Sequence, residues 1–357
     1  MYRRNGVLLI NLGTPDDTSV TSVRRYLREF LSDPRVLDLP ALGRWLLLNL
    51  IILPFRPKQS AHAYRQIWTD KGSPLLLHTA DLTQGVARTL GENVSVRYAM
   101  RYQNPSIQSA LAAFREEGVE RVIVVPLYPQ YASSSTGTVV QELYRVCGQE
   151  WNTLALTVMP PFYDHPIFLD SLARVARNHL GDLEQYDCFM MSFHGLPERH
   201  ILKSEVGGGG HCLVKDSCCD AISGKNRFCY RAQSFFVARA LAERLGIAAD
   251  RFVVTFQSRL GRTPWIRPYT DIELEKLPGR GIKRLAVLEP SFTSDCLETL
   301  EEIGIRARDT FMAAGGESLT LVPCLNANPE WVAGLSRMIK EQGLSAWQEP
   351  AQSERGE

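Results

Sequence analysis

His194, the carboxylates Asp295, Glu298 and Glu302, and the thiols Cys212, Cys218, Cys219 and Cys229 are the side chains whose types and spacing could do chemistry in this chain. His194 closes the apolar run 188–193 and is followed by Gly195 and Pro197, so its imidazole stands at the carboxyl end of a buried strand. Open α/β sheets place ligands there. Histidine exchanges a proton near neutral pH and ligates borderline metals; strand-end histidines also serve structure alone, so the surrounding sequence has to decide. Asp295, Glu298 and Glu302 fall at i, i+3 and i+7, which lines three carboxylates along one face of an α-helix. Such a row either complements the helix dipole or conducts a divalent cation and takes protons from a substrate. The four cysteines lie in HCLVKDSCCDAISGKNRFC, residues 211–229, behind four consecutive glycines. Four thiolates in one loop suit a tetrahedral zinc or an iron-sulfur centre. The adjacent pair Cys218 and Cys219 differs from two Cys-x-x-Cys knuckles, which makes zinc the weaker reading.

Two further stretches carry weaker signals. In PLYPQYASSSTGT, residues 126–138, a strand ends near Tyr128 and Tyr131, and Ser133 to Thr136 lead into a helix whose amides can hold a carboxylate or phosphate. FQSRLGRTPWIRPYTD, residues 256–271, is a long loop with Trp265 and Tyr269, and loops of that length inside a compact domain are often functional.

The elements that must position these groups alternate. Apolar runs at 6–12, 94–98, 121–127, 154–159, 188–193, 252–256, 285–288 and 319–322 read as strands, separated by amphipathic stretches such as 106–117. That pattern predicts a doubly wound parallel α/β sheet. Pro160, Pro161 and Pro166 mark a joint near residue 160. NLGTP and FHGLP each follow a buried strand with Gly, one residue, then Pro, an internal echo expected of two similar halves. The expected division is a first domain over 1–160 and a second over 161–325. A helix at about 326–345 is expected to pack back on the first domain, ahead of a polar tail at 346–357. The run 39–54 is shorter than the roughly 20 apolar residues a spanning helix needs. It reads either as a core helix or as an exposed apolar lip, from Trp45 to Leu53, that rests on a membrane or covers an apolar ligand.

The totals exclude some classes. With 40 Lys and Arg against 39 Asp and Glu in 357 residues, the net charge is +1, and no bulk field recruits nucleic acid. The amino terminus lacks a signal-peptide cleavage pattern, so a cytoplasmic protein is expected. In that compartment clustered thiols bind metal more often than they form disulfides. No GxGxxG follows the first strand, which argues against a nucleotide-dependent enzyme.

NLGTP, the apolar lip, YAMRYQNP, YPQYASSSTG, SFHGLPERH, FQSRLGRTPW and SDCLETLEEIG together resemble the ferrochelatases, which insert ferrous iron into protoporphyrin IX. The resemblance runs from about Gly6 to the last helix. It implies two similar Rossmann-like domains, each with a four-stranded parallel sheet, and a porphyrin cleft between them. It implies further that His194 is the active-site histidine, that Glu298 is the carboxylate facing it, and that Asp295 and Glu302 form an acidic iron path. Tyr128, Trp265 and Phe292 would line the cleft, with Arg56, Arg101 and Ser134 near the porphyrin edge. Leu12 matches a position where relatives carry Met or Tyr, and a Leu cannot ligate metal. Cys296 stands where animal relatives have His, which leaves His194 and Glu298 as proton acceptors. The cysteine loop is similar to that of bacterial relatives holding a 2Fe-2S cluster on four internal cysteines, here Cys212, Cys218, Cys219 and Cys229. Peripheral membrane contact through the lip would follow. Alternatives are a chelatase for coproporphyrin or sirohydrochlorin, or a haem-binding redox sensor without turnover.

Overall fold

The computed structural model describes residues 5–261 and 263–341; the expected tail at 346–357 and the last residues of the expected terminal helix lie outside them. Eight strands form two separate parallel sheets. The first contains β1 (Asn5–Gly13), β2 (Val94–Tyr102), β3 (Arg121–Pro126) and β4 (Ala155–Val158), in the order β2-β1-β3-β4. The second contains β5 (Cys188–His194), β6 (Phe252–Gln257), β7 (Arg284–Leu288) and β8 (Ser318–Leu321), in the order β6-β5-β7-β8. The two orders are the same, so β1 and β5 hold equivalent inner places, as the NLGTP and FHGLP echo requires.

Each inner strand is apolar without alternation because helices cover both faces of its sheet. Val7, Leu8, Leu9 and Ile10 in β1 and Phe189, Met190, Met191 and Phe193 in β5 are fully buried. One face of each sheet carries its own core, built around Phe114 in the first and Phe311 in the second. The other two faces share a single core that runs from Val7 and Ile123 through Phe168 to Phe189 and Trp331. The helix Pro329–Ile339, capped by Asn328, lies on the helix Pro74–Leu90 of the first half. A Cβ on Gly85 would stand 2.9 Å from the Val332 methyls, so the close approach of the two helices needs a glycine there.

Three stretches depart from α-helical expectation. Residues Leu47–Ile52, Ser133–Gly137 and Glu298–Ala307 wind as π-helix, a form that concentrates at functional sites. The run 39–54 is the exposed lip and not a core helix: Leu42, Trp45, Leu50, Ile51 and Phe55 are 72%, 57%, 59%, 58% and 73% exposed, while Leu48 and Ile52 anchor it on Leu31. Among the described residues no helix is long and apolar enough to cross a membrane.

Candidate active site

The strand ends build the site. β5 delivers His194, and Gly195 then turns the chain against β6: a Cβ there would meet the Gln257 carbonyl oxygen at 2.7 Å and the Trp265 ring at 3.2 Å. Gly13, at the equivalent end of β1, has φ of +123° and presses on the Tyr102 backbone in the same way. Leu12 is therefore the first half's counterpart of His194, half-buried and without donor atoms.

His194 Nδ1 lies 2.7 Å from the Gly195 carbonyl oxygen. A carbonyl only accepts, so Nδ1 is the donor in this contact, and Nε2 is left as the outward ring nitrogen. The His194 backbone N–H donates to Ser291 Oγ at 3.2 Å, and the Phe292 ring stands 6.4 Å away at 64°. The loop after β6 folds back over this turn. Trp265 pairs with Pro197 and donates from Nε1 to the Leu260 carbonyl at 2.9 Å, which fixes the indole beside Gly195.

The π-helix Glu298–Ala307 carries two carboxylates, Glu298 and Glu302, and Glu302 lies within electrostatic reach of His194. Glu302 accepts from Ser258 N–H at 2.9 Å and from Ser258 Oγ at 2.5 Å. Burial raises its pKa, against the opposing pull of Ser258, His194 and Arg306, and the Glu298 charge raises it further. Glu298 is half-buried and reaches the first half of the chain. Its charge adds to burial in pushing the hydroxyls of Tyr26 and Tyr64 well above their ordinary range. Asp295 is held differently. Its carboxylate accepts from Asn326 Nδ2 at 2.7 Å, the Cys324 N–H at 3.1 Å and Thr299 Oγ1 at 3.3 Å, which ties the start of this helix to the loop after β8. Both oxygens are committed, so Asp295 anchors the element that carries Glu298 and Glu302.

Sequence reasoning passed over Glu289, directly after β7. It is buried, and burial together with the charges of Glu302, Asp295 and Glu298 raises its pKa well above the ordinary carboxyl value, against the pull of Gln257. Its signal was available: a carboxylate closing an apolar strand, as His194 does.

The side chains expected near the porphyrin divide. Tyr128 is half-buried after β3, and burial pushes its phenol up. Ser134 lies half-buried in the π-turn, and Arg56 is exposed on the helix Leu53–Ile67 behind the lip. Arg101 is committed to the protein, with its guanidinium 2.8 Å from Asp33 and 2.8 Å from Thr138 Oγ1, lying over Tyr102. Arg35, which the sequence did not single out, donates to Ser133 Oγ at 2.7 Å and lines a cavity of about 390 Å³ between the halves. Pro34, Arg35, Asp38 and residues 131–133 form one wall of that cavity, and Leu196, His200, Lys203, Phe228 and Tyr230 form the other. Across its rim Asp38 meets Lys203 at 2.6 Å, Arg199 at 3.4 Å and His200 at 4.0 Å.

The cysteine loop borders the same cavity. All eight cysteines are free and buried. Cys218 Sγ and Cys219 Sγ are 3.7 Å apart. Glu205 accepts from the backbone N–H groups of His211 and Cys212, and the fully buried Asn226 donates to the Cys218 and Ala221 carbonyls. The four cysteines join the main core, with Leu213 and Ile222 packed against it, and these polar clamps fix the backbone between them. Among the described residues no three His, Cys, Asp or Glu side chains form a ready-made metal-ligand group.

The chain is similar to curated ferrochelatases over nearly its whole length. It is 47% identical to that of Coxiella burnetii (strain Dugway 5J108-111) over 337 residues, covering 94% of this chain and 93% of the relative. It is 49% identical to that of Azotobacter vinelandii over 340 residues, covering 95% and 99%. Among solved structures, SirB from Bacillus subtilis with Fe3+ matches with a TM-score of 0.54 at 12% identity, over 97% of this chain and 98% of SirB, a likeness of fold. The ferrochelatase family profile matches residues 4–343, and with these identities over nearly the whole length of both chains, the chain belongs to the ferrochelatase family.

Proposed function

We propose that the protein inserts ferrous iron into protoporphyrin IX, and that His194, Glu298 and Glu302 carry the step. The observation that carries the assignment is the anchored imidazole of His194: its Nδ1 is held by the Gly195 carbonyl, which leaves Nε2 as the ring nitrogen to face substrate, with Glu302 within electrostatic reach. Metal insertion removes two pyrrole protons while a hydrated dication sheds water. An imidazole suits the first task. Oxygen donors that hold a divalent ion loosely suit the second, because an ion that is substrate must leave its ligands. Glu302, held by Ser258, stands where it can pass iron toward Glu298. Tyr128, Trp265 and Phe292 offer flat apolar surface to a macrocycle, and binding along the rim supplies the energy to bend it so that nitrogen lone pairs meet the metal. Leu12 and the anchored Asp295 are left outside the ligand set.

The cysteine loop is proposed to hold a 2Fe-2S cluster on Cys212, Cys218, Cys219 and Cys229. The chemistry of the donors supports this reading: four free, buried thiols in one loop, of which the Cys218–Cys219 pair is 3.7 Å apart, against about 3.8 Å for two thiolates on a tetrahedral metal with 2.3 Å bonds. A bound cluster supplies a one-electron centre and a cross-link for the loop. The lip, flanked by Arg44, Arg56 and Lys58, is proposed to rest on an anionic bilayer surface.

The test is single-turnover iron insertion, followed by the absorption change from free porphyrin to haem. His194→Ala is expected to lose at least 100-fold in rate with unchanged thermal unfolding, in keeping with the usual size of acid–base contributions. Near-normal turnover in that variant would remove His194 from the mechanism.

A further inference from the structure

Arg231 is the cation closest to the four thiols, and its position is constrained on three sides. Its Nη1 lies 3.0 Å from Cys219 Sγ and 4.0 Å from Cys218 Sγ. Its guanidinium stacks on the Phe235 ring at 4.7 Å, and its Nε donates to the Arg267 carbonyl at 3.4 Å. The residue occupies the second position of the helix Tyr230–Leu245, immediately after Cys229, so the backbone that presents one thiol also fixes the cation beside two others. A second arginine of this helix, Arg239, is used otherwise: it donates to the backbone carbonyls of Cys219 and Asp220 at 2.9 Å and so holds the loop, not the sulfurs.

We infer that Arg231 sets the reduction potential of the centre held by this loop, by a charge-assisted hydrogen bond to Cys219 and by its fixed positive charge beside Cys218. The inference rests on the 2Fe-2S reading. One-electron reduction of such a centre converts one ferric ion to ferrous and adds one negative charge, with dithionite as the external electron donor in the experiment. A fixed cation and an N–H donor at ligand sulfur stabilise the more negative state more strongly, which raises the potential. The aromatic face under the guanidinium keeps it in place and partly shields it from water, so its field on the sulfurs is not averaged away. Arg231 is thus a tuning residue that touches ligands and not substrate, and neither porphyrin binding nor iron insertion requires it.

The experiment compares wild type, Arg231→Gln, Arg231→Lys and Phe235→Leu as intact proteins. Iron, acid-labile sulfide and the visible spectrum are measured first, and an anaerobic redox titration followed by electron paramagnetic resonance comes second. With the centre fully loaded, Arg231→Gln is expected to lower the ratio of reduced to oxidised centre about tenfold at the wild-type midpoint, a shift of about 59 mV for one electron. Arg231→Lys should recover part of the shift, and Phe235→Leu should move the midpoint in the direction of Arg231→Gln by a smaller amount. An unchanged midpoint in a fully loaded Arg231→Gln protein overturns the inference. If Arg231→Gln assembles no centre, an unchanged midpoint in loaded Phe235→Leu overturns it just as well. A wild-type protein without iron and sulfide fails the cluster reading itself, which the first measurement separates from the second.

Discussion

The imidazole of His194 owes its usefulness to a residue with no side chain. Gly195 lets the chain pass against the end of β6 closely enough for its own carbonyl to accept from Nδ1, and a methyl group there would stand 2.7 Å from the Gln257 carbonyl oxygen. Because that neighbour is strand backbone, Gly195→Ala should cost roughly 1–3 kcal/mol of stability, a typical overpacking penalty, and reduce iron insertion at least tenfold; calorimetry and the turnover assay check the two parts. His200 offers a test in pH. Burial, then the charge of Arg199, holds its pKa below the ordinary 6.5, with Asp38 opposing. Its contribution is therefore complete above the ordinary value. As pH falls, the unfolded chain takes up a proton that the folded chain resists, and stability is lost. Between about pH 7.5 and 5, His200→Gln should flatten the fall in melting temperature, whereas parallel curves for both proteins would dismiss His200 as its source. At this scale residue type and strand-end position mark His194 as a candidate, and the same signal marks Glu289, which closes β7. Arg35 and the commitment of Arg101 to Asp33 were illegible, since each depends on contacts more than 60 residues distant.

All eight strands were legible, because parallel strands buried on both faces are unbroken apolar runs. The π-helices were not. Glu298–Ala307 reads as an ordinary amphipathic helix, and a wider turn leaves no signature in the spacing of its apolar residues. Wider winding rotates Glu298 and Glu302 relative to Asp295, and the expected row of three carboxylates resolves into an anchored Asp295, a Glu302 held by Ser258 and a Glu298 that reaches Tyr26 and Tyr64. The lip was ambiguous for another reason: a continuous apolar run is equally consistent with core and with an exposed surface, and only the packing of Leu48 and Ile52 beneath it shows which side faces out. Replacing Trp45, Ile51 and Phe55 together by Ser should abolish co-sedimentation with anionic vesicles. Stability should stay within about 0.5 kcal/mol per site, as for other exposed positions. Undiminished vesicle binding would show that the lip serves some other surface.

On the scale of the whole molecule, two sheets share one strand order, and each contributes a strand end of like geometry with different chemistry. β1 brings Leu12, which ligates nothing, and β5 brings His194. The halves are bound by a continuous core through Phe168 and Trp331 and by the Asp38 ion pairs at the cavity rim. The NLGTP and FHGLP echo made this duplication legible, but the cavity between the halves was not, because it is lined by loops whose approach depends on how the two sheets pack. The central claim is catalytic, and anaerobic incubation of the purified protein with ferrous iron and protoporphyrin IX tests it most directly. The account predicts haem formation over many turnovers. Tight porphyrin binding with no metal insertion, under conditions where coproporphyrin is not metallated either, would contradict it and leave a binding protein.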